Sequence, residues 1–155
     1  MTLNTIAQIE ALIGRVPEIL KEIPAEDMIP PRSAGKWSNL QILGHLCDSA
    51  INNVTRFIQA QYVGGTFAVT PYDQEQWVAK QNYQQASIDE VITLWVSLNR
   101  SIVRVIASLP RETASSQAVE LPNGEIKTLE WLIEDYLEHM KHHLTQILPS
   151  LLEKD

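Results

Sequence analysis

The chain has one cysteine in 155 residues, which excludes an intramolecular disulfide framework and fits a reducing, cytoplasmic setting. It is also short of positive charge: 12 Lys and Arg against 19 Asp and Glu leave a net charge of −7. No cluster of Lys or Arg stands out, so the basic patch that phosphate contacts require is missing and no nucleic-acid partner is expected. Long hydrophobic runs are missing too. Charged or polar residues interrupt every apolar stretch, including the opening MTLNTIAQIEALIGRVPEIL, so neither a signal peptide nor a membrane span is expected. No segment keeps a period-2 alternation, and no internal repeat or low-complexity tract appears. The Asn53-Val54-Thr55 sequon carries no meaning in a cytoplasmic helix.

What the chain does have is helical periodicity, in four segments of one domain spanning residues 1–155. Ile6, Ile9, Leu12, Ile13, Val16, Ile19 and Leu20 define the first, with Pro17 predicting a kink or a restart. The stretch PAEDMIPPRSAGKW then breaks helicity. The second helix opens on a capping box, Ser38 with Gln41, and a hydrophobic staple of Trp37 on Ile42. It runs from Leu40 to about Tyr62, with Gly64–Gly65 as its stop. The third opens on another capping box, Ser87 with Glu90, and ends before Pro110; the fourth follows Thr128 as N-cap and ends at Pro149. Between the second and third lies a polar segment, Thr66–Gln85, with a short helix expected around Asp73–Ala79. VELPNGEIKT reads as a turn between two short extended pieces. The fold class is all-α, a four-helix bundle.

Three of the four histidines fall in EDYLEHMKHHLTQ, and the fourth is His45. His139 and His143 are four apart and project from one helix face, a spacing that lets two imidazoles hold one ion. His45 lies about 9 Å from the start of the second helix, and His143 a similar distance from the end of the fourth. They come level only if those helices are antiparallel. A simple up-down-up-down bundle makes them parallel, so the chain must cross the bundle between helices two and three. The Thr66–Gln85 segment is long for a bundle loop and can make that crossover. The predicted topology is up-down-down-up. The competing explanation is that His45 is an ordinary core or boundary residue and the His-x-x-x-His pair a chance feature of a solvated face.

The segments KWSNLQILGHLCDS and HMKHHLTQI, taken with the kinked first helix and the proline-rich link, resemble the DinB/YfiT-like superfamily of metal-binding four-helix bundles. The resemblance implies an up-down-down-up bundle, frequently a homodimer, holding one divalent metal through His45, His139 and His143. It further implies a metal-dependent hydrolase, or a transferase or isomerase that uses a low-molecular-weight thiol, acting on a small molecule. Three imidazoles leave coordination positions open for water or substrate, and a metal there lowers the pKa of a bound water or thiol. Imidazole suits zinc, nickel, copper and iron alike, so the metal stays unnamed. The competing class is a non-catalytic binding or dimerisation module.

Helical spacing nominates further residues. Asp48, three after His45, is the candidate to orient that histidine or to act as a base, against a surface carboxylate favoured by the helix start. Asn52 and Arg56 continue its face. Asp135, four before His139, either takes that ring's second N–H or joins Glu134 and Glu138 on a solvated acidic face. Gln146, three after His143, either supports it or is exposed. His142 points away from the pair and is a ligand only if the helix is turned. Cys47 reads as buried filler. Trp37, Trp95 and Trp131 read as packing residues, whereas Trp77, Tyr72 and Tyr83 on the crossover either pack it down or roof a pocket.

Overall fold

The computed structural model describes residues 2–149 and residue 151, and its helices follow the apolar periodicity closely. Helix α1 spans Thr2–Lys21 and continues through Pro17 without restarting. The proline-rich link is less irregular than the sequence suggests. It holds a single helical turn, α2 (Ala25–Met28), and closes on itself through a bridge between Pro31 and Ser38. Helix α3 spans Asn39–Gln59. It stops several residues short of Gly64–Gly65, because the chain turns at Ala60 and only then reaches Gly65, whose φ is +80°.

The crossover carries a two-residue strand, β1 (Phe67–Ala68), the helix α4 (Gln74–Gln81), capped by Asp73, and a 3₁₀ turn over Tyr83–Gln85. Helix α5 (Ile88–Ala107) begins on the Ser87 cap, which accepts from Glu90 N but lacks, among the described residues, the return bond to the Glu90 side chain that the expected capping box needs. A short α6 (Arg111–Ser116) follows. The expected hairpin is β2 (Ala118–Glu120) with β3 (Ile126–Thr128), antiparallel. It gains a third, parallel strand from β1, a long-range pairing with no local signature. Helix α7 (Leu129–Ile147) begins on the Thr128 cap.

Individual contacts fix the helix directions. Tyr83, just before α5, packs on Gly44 near the start of α3, and Cys47 Sγ, further along α3, lies 3.8 Å from the Val91 carbonyl within α5, so α3 and α5 run the same way. His45, in the first half of α3, faces His143, late in α7, with ring centroids 4.7 Å apart, whereas Phe57, late in α3, stacks edge-on against Tyr136, nearer the start of α7, with ring centroids 5.9 Å apart. Those two helices are therefore antiparallel. Leu3 and Ile6 of α1 share a groove with Ile106 and Ala107 at the end of α5, so α1 opposes α5. The bundle is up-down-down-up.

Its centre is apolar and continuous, built on Ile9, Val16, Leu20, Leu43, Phe57, Trp95, Ile102, Leu129 and Ile133, each 1 % exposed or less. Burial of such side chains is worth roughly 1.5–3 kcal/mol apiece, so the helix faces are held by packing. The histidines are built into one end of that interior. No described helix is long and apolar enough to cross a membrane.

Candidate metal centre

The capping box at the start of α3 is complete. Ser38 Oγ accepts from Gln41 N at 3.0 Å and Gln41 Oε1 accepts from Ser38 N at 2.9 Å. This fixes where the helix begins and so which face carries His45. The next residues run buried without a break from Ile42 to Ala50, His45 and Asp48 among them at 0 % exposure. From the antiparallel α7, His139 and His143 meet His45. One nitrogen from each ring lies within 4.8 Å of the others, and His45 Nε2 sits 3.2 Å from His139 Nε2. Among the described residues no cysteine, carboxylate or further histidine joins this cluster.

These side chains suit a divalent ion. Two nitrogens at about 2.0–2.1 Å from a tetrahedral ion lie about 3.3 Å apart, close to the separation of His45 and His139. Ligation also needs neutral rings, and burial supplies them. The pKa of His45 falls to about 3, mainly by burial and then by repulsion from His139 and His143. His139 falls to about 4 for the same first reason, with His143 and His142 adding to it. Burial lowers His143 as well, against an opposing hydrogen bond to Gln146.

That bond involves the His143 nitrogen that does not face the other rings: Gln146 Oε1 lies 2.9 Å from His143 Nδ1. With the proton on Nδ1, Gln146 accepts it and Nε2 keeps its lone pair for an ion. Gln146 is thus a supporting residue. His45 has no such support: its Nδ1 is buried without a partner among the described residues, and its ring packs instead on Trp37, centroids 5.0 Å apart.

Asp48 is held from the crossover and not by His45. Its Oδ1 accepts from Tyr83 Oη at 2.7 Å and from Gln81 Nε2 at 3.0 Å, while its Oδ2 is buried and unpartnered. Burial raises the Asp48 pKa, opposed by those two hydrogen bonds. It raises Tyr83 still more, with the bond to Asp48 adding to it. Nothing local in the sequence marks Tyr83 and Gln81 as partners of Asp48. The one local signal was Gly44 inside a helix, a residue there usually for packing reasons.

The remaining nominees fall outside the cluster. Asn52 donates back to the Asp48 carbonyl. Arg56 donates to the Thr70 carbonyl at 2.7 Å and lies over the Tyr72 ring, tying the crossover to α3. Asp135 is exposed, on the side of α7 that shares a groove with Arg56 and Tyr72. His142 is exposed and stacks only on His143. Cys47 is buried, and its thiol is pushed far up by burial, which makes it a packing residue. Trp77 packs on Tyr72. A cleft of about 600 Å³ reaches His143 and Gln146 from outside, within the size range of small-molecule sites.

The family model of the DinB superfamily matches residues 8–147. The chain belongs to the DinB superfamily. Similar proteins include one from Bacillus cereus strain AH820, provisionally named a metal-dependent hydrolase, 27 % identical over 92 % of this chain and 80 % of its own. Another, with the same provisional name, is from Oceanobacillus iheyensis, 27 % identical over 88 % of this chain and 81 % of its own. Among solved structures, YfiT from Bacillus subtilis is described as a candidate metal-dependent hydrolase with an unusual four-helix-bundle topology. It superposes with a TM-score of 0.83 at 22 % identity, covering 96 % of this chain and 84 % of its own. The mycothiol-dependent maleylpyruvate isomerase superposes with a TM-score of 0.71 at 11 % identity, covering 93 % of this chain and 60 % of its own. At those identities the two structures speak for the DinB fold alone.

Proposed function

We propose that this DinB-superfamily protein is a metal-dependent enzyme that hydrolyses a small molecule. The observation that carries the reading is the trio of imidazole nitrogens from two antiparallel helices, beside a cleft, with no fourth protein ligand among the described residues. A structural zinc site closes its shell with four protein ligands, whereas catalytic sites keep a position open. His45, His139 and His143 are the residues that would hold the ion. Bound there, it would supply Lewis acidity that lowers the pKa of water reaching the site.

The chain's own residues prepare the rest. Gln146 holds His143 through Nδ1, burial favours neutral rings, and Trp37 packs on His45. Asp48 is one turn along α3 from His45, on the same face. With Oδ1 committed to Tyr83 and Gln81 and Oδ2 buried outside the cleft lining, it braces the crossover against the turn of α3 that carries His45. The names carried by the relatives support hydrolysis. Thiol S-transfer is the second reading, favoured by the likeness to a mycothiol-dependent enzyme. The two separate cleanly, because transfer requires an added low-molecular-weight thiol and hydrolysis does not.

The test begins with the metal. Protein purified without a metal-binding tag is expected to carry about one divalent ion per chain. His45→Ala and His143→Gln should lose it while keeping their helical circular dichroism, and His142→Ala should keep it. Failure of the wild type to hold zinc, nickel or iron after reconstitution would sink the enzyme reading and leave a non-catalytic bundle.

A further inference from the structure

The cleft that reaches His143 has an electrostatic character the overall composition conceals. In a chain of net charge −7, its outer wall carries Arg32 and Lys36, both exposed. Neither forms an ion pair among the described residues, where the ion pairs are Lys127–Glu125 and Lys141–Glu138. Glu75 is the carboxylate that shares the lining. The lining is therefore cationic by one charge, and a divalent ion among neutral imidazoles would deepen that potential.

The two cations are presented by a braced turn. Arg32 N donates to the Trp37 carbonyl at 3.3 Å and Lys36 N to the Ser33 carbonyl at 3.0 Å. Gly35 supplies the left-handed residue the turn needs, with φ at +76°. Pro31 and Ser38 close its base. Gln84, from the far end of the crossover, grips both strands of that base. It donates to the Ile29 carbonyl at 2.9 Å and accepts from Ser38 Oγ at 2.8 Å. Trp37, at the end of the turn, packs on His45. The turn's position is thus fixed relative to the metal ligands at one side and the crossover at the other.

We infer that the Arg32–Lys36 turn is an anion-recognition element, and that the small-molecule substrate bears a carboxylate or phosphate group outside its reacting bond. This rests on the metal-dependent reading of the same site. An exposed cation alone contributes little, but two on one braced turn facing a confined cleft act together on a single anion. Glu75 then faces the part of the substrate that is neutral or hydrogen-bond donating.

Calorimetry of the zinc-reconstituted protein at low ionic strength, with succinate and its neutral diamide as probes, decides the matter. Succinate is expected to bind at least tenfold more tightly than the diamide. Arg32→Ala/Lys36→Ala should weaken succinate about tenfold, leave the diamide unchanged, and keep the metal content of the wild type. Any coordination of succinate by the ion itself is common to both proteins and drops out of the comparison. Equal succinate affinity in wild type and double variant would overturn the inference, as would no preference for succinate in the wild type. Metal content, measured on the same samples, reports separately on the three-histidine site. If that site fails, the succinate preference of the metal-free protein still decides the role of the turn.

Discussion

Gly44 stands immediately before His45 in the middle of a helix, where glycine costs about 1 kcal/mol relative to alanine. Its reason is the Tyr83 ring, whose atoms occupy the space where a Cβ would be. That approach brings Tyr83 Oη to Asp48, so a missing methyl on α3 and a tyrosine on the crossover together hold a buried carboxylate. Gly44→Ala should therefore destabilise the protein by about 1–3 kcal/mol by overpacking, although helix propensity alone predicts the opposite sign. In a Tyr83→Ala background the same change should become neutral or stabilising. Urea unfolding of the four proteins measures this coupling. A wild-type chain made more stable by Gly44→Ala would show that the ring yields freely and that Asp48 is not held this way.

The elements were legible where their signals are local. Ser38 with Gln41, Ser87 before Glu90 and Thr128 before Trp131 each mark a helix start in the sequence and accept the expected backbone N–H in the structure. The antiparallel pairing of α3 with α7 followed from the histidine positions and the length of the crossover. What stayed hidden depends on long-range partners: β1 pairs with β2 across about fifty residues of chain, and Gln84 reaches back to Ser38. That second contact makes the two serine caps unequal. Ser87 is exposed and its Oγ caps a helix only, whereas Ser38 is fully buried and also donates to Gln84. Ser87→Ala should cost about 1 kcal/mol, the ordinary value of a cap. Ser38→Ala should cost about 2 kcal/mol, since it also removes the hydrogen bond to Gln84. Denaturant midpoints at constant m-value give both numbers, and equal costs would mean that Gln84 does not brace the turn.

At the scale of the whole molecule, placing three imidazoles inside a bundle couples folding to pH. In the unfolded chain a histidine titrates near 6.5; in the folded, metal-free chain His45 and His139 are pushed down to about 3 and about 4 by burial and by one another. Below about pH 6.5 the unfolded state therefore binds protons that the folded state refuses, and the stability these rings allow at neutral pH drains away as pH falls. The loss approaches about 1.4 kcal/mol per pH unit for each such ring, continuing towards pH 4 for His139 and pH 3 for His45. Asp48 works in the other direction. Its raised pKa means the folded state holds a proton the unfolded state has released, so its contribution is greatest at low pH and is lost as pH rises through its folded value. Three lowered histidines, two of them shifted far, against the raised carboxylates of Asp48 and Asp135 leave a net loss on acidification between pH 6.5 and 4. Metal-free protein in chelator should thus show a falling urea midpoint from pH 7 through 6 to 5, and His45→Gln, which keeps a buried polar side chain but cannot take up the proton, should show a shallower slope. A flat profile in the wild type would mean that the rings reach solvent in the metal-free protein. Added zinc should steepen the profile, because protons then compete with the ion for the same three nitrogens.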